Sequence, residues 1–310
     1  MTNNAITIQA FAKINLSLDV KGVLDNGYHI VEMVMQQISL HDNVTLTRSS
    51  GDGSLEISLT STREDLPVDS SNLAYKAAAL MAEKFPEIRG TLNIHIDKHI
   101  PVAAGMAGGS SNCAAVIHGI NQLWNLNLTV AQMNELGAML GSDVPFCIMG
   151  QAAASDNLRD NFAKDEMACH CALATGTGTD LIPLPGLKAY IALSKPSIAV
   201  STAEVYKGID NEIISIHPDN QALIEGLRNE NMEDVHSNMI NVLENYTLKV
   251  YPSVMYAKDM ISTLYSNGPV LMSGSGPTVF AVCSTKEEAD GICHAMLPVN
   301  KESFSVYTTR

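Results

Sequence analysis

Residues 101–117 read PVAAGMAGGSSNCAAVI. Three glycines and three alanines fall between Ala103 and Gly109, and Ser110 and Ser111 lead into an apolar run that predicts a helix. Small residues before a helix expose backbone amides at the positive end of its dipole, a setting that binds phosphate. Either serine could also cap the helix. No Lys-Ser or Lys-Thr pair follows the last glycine, so this is not the Walker loop, and the glycine spacing is not that of a dinucleotide fold. The same residues suit a seam where a helix packs tightly on a sheet, and for this loop alone the two readings stand level. A second glycine-rich turn, Ser273-Gly274-Ser275-Gly276, lies between two apolar strands. Alone it reads as an ordinary β-turn; paired with the first loop it suggests two backbone walls around one polyphosphate.

Certain elements must hold these loops. AFAKINLSLDV alternates, with Ala12, Ile14, Leu16, Leu18 and Val20 on a core face and Phe11, Lys13, Asn15, Ser17 and Asp19 on the other. Asp25-Asn26-Gly27 makes a turn, and further β character follows. A helix is expected over residues 71–85, stopped by Pro86. The strand TLNIHIDKHI then delivers the chain into the glycine loop. Helices are expected at Ser111–Trp124 and Thr129–Leu140, with GSDVPFCIMG as a short apolar turn and residues 155–171 polar and irregular. KAYIALSKP reads as a strand and STAEVYKGI as the start of a helix. Helical segments follow from about Pro218 to Asn267, and a strand–turn–helix closes the pattern. A boundary near Pro185 divides the chain into two α+β halves, residues 1–185 and 186–310.

Composition narrows the function. At 310 residues, 46% hydrophobic and 17% charged, the chain can bury a real core. Its net charge of −14, with no cluster of Lys and Arg, argues against nucleic acid as a partner. No apolar stretch is long enough to span a bilayer, and the N-terminus lacks the layout of a secretory signal. Six cysteines without a regular framework fit a reduced, cytoplasmic protein. Cys169-His170-Cys171 does not have zinc-site spacing, and no second pair answers it.

PVAAGMAGGSS resembles the second motif of the GHMP kinase superfamily, and LMSGSGPTVFAV its third. AFAKINLSLDVKGVLDNGYHIVEMVMQQISLHD narrows the match to one branch, which acts on a cytidine diphosphate ester of methylerythritol. IDKHIPVAAGMAGGSSN and LGSDVPFCIMG resemble that branch in order and spacing. Two departures stand out. Asn26 replaces the usual Asp before Gly-Tyr-His, and SDNLRDNFAKDEMACHC stretches the run into a Gly-x-Gly-Glu motif, where Thr179 stands at the acidic position.

The resemblance implies an α+β fold, with a ribosomal-S5-like N-terminal domain that binds ATP and a ferredoxin-like C-terminal domain. The ATP site it implies runs through Pro101, Val102, Ala103, Ala104, Gly105, Met106, Ala107, Gly108, Gly109, Ser110 and Ser111, with Mg2+ accompanying the phosphates. It makes Asp143 and Lys13 catalytic. Taken singly, Asp143 suits a helix cap beside Pro145, and Lys13 a solvated strand face. In the implied site Asp143 orients or deprotonates the acceptor hydroxyl, and Lys13 keeps that carboxylate ionised and stabilises developing charge. Tyr28 and His29 follow a tight turn, as a recognition pair on a loop would, and imidazole can read the edge of cytosine. Tyr206 is expected across the base, Thr202 near its helix start, and Asn15 and Lys98 along the substrate and nucleotide sites.

Overall fold

The computed structural model describes residues 4–310. Two compact units emerge, and neither is one continuous stretch. The first takes residues up to Ala12, Leu40–Val102 and Ala107–His170; the second takes Lys13–Ser39, Ala103–Met106 and Cys171–Arg310. Strands β1 (Ala5–Val23) and β2 (His29–Ser49) therefore belong partly to each. No helix among the described residues is long and apolar enough to cross a membrane.

In the first unit, the end of β2 pairs antiparallel with β4 (Thr91–Asp97), from Asn43 opposite Asp97 to Ser49 opposite Thr91. Strand β3 (Glu56–Ser61) lies parallel to β4. Helix α1 (Leu73–Lys84) starts where Asn72 accepts a hydrogen bond from the Ala74 amide, and it buries Ala74, Ala77, Ala78 and Met81. That i, i+3, i+4, i+7 set is one helical face. Helix α2 (Gly108–Leu123) buries nearly every side chain from Ser111 to Asn121. Helix α3 (Val130–Ala138) opens with a Thr129–Gln132 capping box.

Residues 141–150, expected as a turn, hold the start of helix α4 (Val144–Ala154), with Pro145 in its first turn. Every residue from Val144 to Ala152 is buried. A helix apolar on all sides has no polar face, so it leaves no helical period in the sequence. Residues 155–171 are likewise more ordered than expected. They include a short helix, α5 (Arg159–Phe162), and bury Leu158 and Phe162. Asp165 accepts a hydrogen bond from the Val130 amide at the start of α3.

In the second unit, β5 (Cys171–Thr175) and β6 (Asp180–Leu184) form a hairpin, and β5 pairs with Met33–Gln36 of β2. A four-stranded antiparallel sheet runs β10-β7-β9-β8. Its members are β7 (Tyr190–Lys195), β8 (Val270–Met272), β9 (Val279–Cys283) and β10 (Glu302–Tyr307). Helices α6 (Thr202–Ile209), α7 (Asn220–Asn229), α8 (Met232–Ser237), α9 (Glu244–Val250), α10 (Pro252–Leu264) and α11 (Lys286–Met296) complete it. The chain does not end at α11 as the sequence suggests, because β10 returns to the edge of this sheet.

Strand β1 departs from a single core face. Lys13, Asn15, Ser17 and Asp19 are all buried, so Lys13 does not lie on a solvated face. The row satisfies itself with polar partners, as burial demands. Lys13 Nζ donates to Asn15 Oδ1 at 2.7 Å, and Ser17 Oγ to Asn220 Oδ1 at 2.5 Å. Asp19 accepts from His217 Nδ1 and Lys21 Nζ.

Candidate active site

The glycine loop is held in a conformation that costs energy. Ala103 and Ala107 sit at φ 50° and 57°, beside Gly105 at 72°. Alanine in the left-handed region costs about 1–2 kcal/mol, and such strain gathers where geometry serves function. Residue type hides this strain, because alanine normally marks the opposite preference. Ala107 stands at the N-cap of α2 with no side-chain cap. The Ser111 amide donates to the Ala107 carbonyl at 2.8 Å, so the amides of Gly108, Gly109 and Ser110 open the helix.

Neither serine caps α2. Ser111 is fully buried; its hydroxyl donates to the Phe11 carbonyl at 2.7 Å and accepts from Gln151 Nε2 at 3.1 Å. Ser110 remains half-buried and Gly109 exposed. In the same run Pro101, Ala104 and Met106 are buried and Val102 is half-buried.

A buried ion pair shapes the entry to this loop. Lys98 Nζ donates to Asp42 Oδ2 at 2.6 Å and to the Ile100 carbonyl at 2.7 Å. Asp42 Oδ1 accepts from the His99 and Ile100 amides, each at 2.7 Å, and Oδ2 also accepts from Asn112 Nδ2 of α2. Burial pushes the Lys98 pKa below its ordinary value, while Asp42 pulls it back up. One carboxylate thus joins β2, the turn after β4 and the first turns of α2. Sequence reasoning missed Asp42, which stands in ordinary β context as LHDN.

In the second unit the Ser273–Gly276 turn meets the loop at Gly105. Ser273 Oγ donates to the Gly105 carbonyl at 3.0 Å. Asn241 Nδ2 donates to the Met272 and Gly274 carbonyls, both at 2.8 Å. Thr202, first in α6, places its hydroxyl 2.9 Å from that of Ser275. A Cβ built on Gly274 would lie 3.6 Å from Lys13 Nζ and 3.7 Å from Asn15 Oδ1, and the Lys13 amide donates to the Met106 carbonyl. Lys13, Asn15, Thr202, Gly105 and the third motif are therefore gathered in one place.

Asp143 directly precedes α4, half-buried, and its side chain makes no capping hydrogen bond. At the β1–β2 turn Gly27 takes φ 84°, and the Tyr28 amide donates to Asn26 Oδ1 at 3.1 Å. Asn26 thus makes an Asx turn, which Asp could also make. Tyr28 is exposed. The His29 ring lies 4.9 Å from the Tyr206 ring, tilted by 45°, and His29 Nε2 is 2.8 Å from Asp210 Oδ1.

Comparison with known proteins agrees along the chain. Residues 72–151 match the GHMP kinases N terminal domain, and residues 220–298 the GHMP kinases C terminal domain. A 4-diphosphocytidyl-2-C-methyl-D-erythritol kinase of Clostridioides difficile (strain 630) is 43% identical, over 92% of this chain and 88% of its own length. One from Brevibacillus brevis is 41% identical over 97% of this chain and 95% of its own. The crystal structure of a 4-(cytidine 5'-diphospho)-2C-methyl-D-erythritol kinase superposes with a TM-score of 0.77 at 25% identity, covering 98% of this chain and all of its own. An L. major mevalonate kinase shares the fold, with a TM-score of 0.72 at 15% identity and coverage of 100% and 99%. The chain belongs to the GHMP kinases and, within them, to the 4-diphosphocytidyl-2-C-methyl-D-erythritol kinase family.

Proposed function

We propose that this kinase transfers the γ-phosphoryl group of ATP to the 2-hydroxyl of 4-diphosphocytidyl-2-C-methyl-D-erythritol, a step in non-mevalonate isoprenoid precursor synthesis. The observation that carries this reading is similarity along nearly the whole chain to proteins of that name. The amides opening α2 at Gly108, Gly109 and Ser110 receive phosphate oxygens, and residues 101–111 form the surrounding loop. Asp143 accepts the proton of the attacking hydroxyl. The hydroxyl oxygen of the substrate bonds to the γ-phosphorus, the bond to the β,γ-bridging oxygen breaks, and ADP leaves. Lys13, braced by Asn15 and the Ser273–Gly276 turn, offsets charge on the transferred group. Tyr28, His29 and Tyr206 take the cytidine end, with Thr202 beside them. Lys98, its amine held by Asp42, acts on the nucleotide through the shape of the loop.

Mg2+ bound with ATP would offset phosphate charge beside the amides that open α2. Among the described residues no group of three or more His, Cys, Asp or Glu could hold a metal. Residues 1–185 serve as the ATP-binding domain and 186–310 as the C-terminal domain. The six free cysteines suit a reducing cytoplasm, and the net charge of −14 suits a small-molecule substrate rather than nucleic acid.

A coupled ATP-consumption assay tests this, with the cytidine substrate run beside mevalonate and homoserine. Turnover only with the cytidine substrate is expected. Turnover with another alcohol and none with the cytidine substrate would overturn the reading.

A further inference from the structure

Residues 210–219 connect α6 to α7 and are pinned by two carboxylate–imidazole contacts. His217 Nδ1 is 2.7 Å from buried Asp19, and Asp210 is 2.8 Å from His29 Nε2. The second contact bears on the base site. Tyr206 and Asp210 are four residues apart at the end of α6, so helical geometry carries a ring and a carboxylate to the same side. Both meet one imidazole, whose side chain is only 10% exposed.

We propose that Asp210 is a positioning residue that fixes the tautomer of His29, and that this makes the base site select the amino group of cytosine over the carbonyl of uracil. The inference rests on the reading above, in which His29 reads the base. An ionised carboxylate can only accept hydrogen bonds, so His29 Nε2 must be the donor to Asp210. In the neutral ring Nδ1 then carries no proton and is an acceptor. Among the described residues the His29 side chain makes no other hydrogen bond, which leaves Nδ1 for a ligand. An acceptor there complements the exocyclic amine of cytosine. It opposes the oxygen that uracil carries at the same ring position. Stacking on Tyr206 cannot supply this choice, because every base has a π-face. Without Asp210 the ring can adopt the other tautomer, in which Nδ1 donates and uracil is welcome.

The test compares kcat/KM for the cytidine substrate and its uridine counterpart in wild type, Asp210→Ala, Asp210→Asn and His29→Ala, each with a melting curve. Asp210 is 41% exposed, so its loss leaves no buried charge unpaired. The cytidine-to-uridine ratio is expected to fall about tenfold or more in Asp210→Ala, in line with the loss of one buried hydrogen bond. Asp210→Asn should keep most of the ratio, because its amide oxygen still accepts from Nε2–H. An unchanged ratio in Asp210→Ala with a collapsed ratio in His29→Ala would overturn the role of Asp210 and leave His29 as the reader. An equal loss on both substrates together with a lower Tm would make Asp210 merely structural and also overturn the proposal. If neither Asp210→Ala nor His29→Ala moves the ratio, the reading of His29 itself fails.

Discussion

A Cβ added at Gly105 would lie 2.3 Å from the Ser273 carbonyl oxygen and 2.8 Å from that of Gly276, while one added at Gly109 meets nothing closer than Leu73 Cδ1 at 3.8 Å. These glycines share one loop, yet the protein itself fills the space at Gly105 and leaves it open at Gly109. Gly108 falls between them, with Ile100 Cγ2 and Lys98 Nζ each 3.0 Å from its added Cβ. Seam and cradle are thus not rival descriptions of the whole loop; each residue answers separately. The carboxylates differ in burial. Asp42 is fully buried and accepts four hydrogen bonds from the protein, whereas Asp143 is half-buried at the start of α4. Positions closed by the protein should register in stability, and positions left open should register in activity.

The largest effect is expected at Asp143. Asp143→Asn should lower kcat by about two to four orders of magnitude, the contribution of a general base, with Tm nearly unchanged and ATP still bound. Lys13→Ala should lose turnover to a similar extent, and the double variant should be little worse than either single one, because groups serving one step are not additive. Steady-state kinetics on folded protein checks both. Wild-type turnover in Asp143→Asn would place this carboxylate with Asp42 among the structural ones.

Gly105→Ala tests the closed side. It adds a methyl group against backbone at φ 72°, combining left-handed strain with overpacking, for a loss of about 2–4 kcal/mol in stability. Urea unfolding should show it, and ATP affinity should fall with it because the loop shifts. A stable Gly105→Ala protein would mean that the Ser273–Gly276 turn yields easily, and the contrast with Gly109 would weaken.

The elements around this loop were legible in the sequence, and what was not has physical reasons. Small residues before an apolar run mark a loop that opens a helix, and alternation marks β1 and β4. Helix α4 stayed hidden because it is buried on every side. The polar row of β1 read as the face opposite the core, because Asn220 and His217, partners of Ser17 and Asp19, lie some two hundred residues away. Asp42 looked like any strand residue, since its four donors come from elsewhere in the chain. The halves drawn at residue 185 follow the order of the chain, whereas compactness groups segments by contact, and the chain enters each compact unit three times. Local pattern reports what a residue prefers, and long-range partners decide what it is used for.

Gly109 offers the smallest effect and the sharpest separation. Its φ is not in the left-handed region, and an added Cβ has room. Alanine there removes the entropy cost of glycine in a helix, so Gly109→Ala should raise stability by about 0.5–1 kcal/mol. The same methyl group stands where a phosphate oxygen would approach the amides, so ATP affinity should fall modestly, and further in Gly109→Val. A tenfold loss corresponds to ~1.4 kcal/mol, and Gly109→Val should reach it. Isothermal titration with a non-hydrolysable ATP analogue, paired with a melting curve, reads the two effects independently. A more stable protein that binds more weakly keeps Gly109 on the open side. If Gly109→Val binds the analogue as tightly as wild type, phosphate does not approach this residue, and the opening amides of α2 serve another purpose.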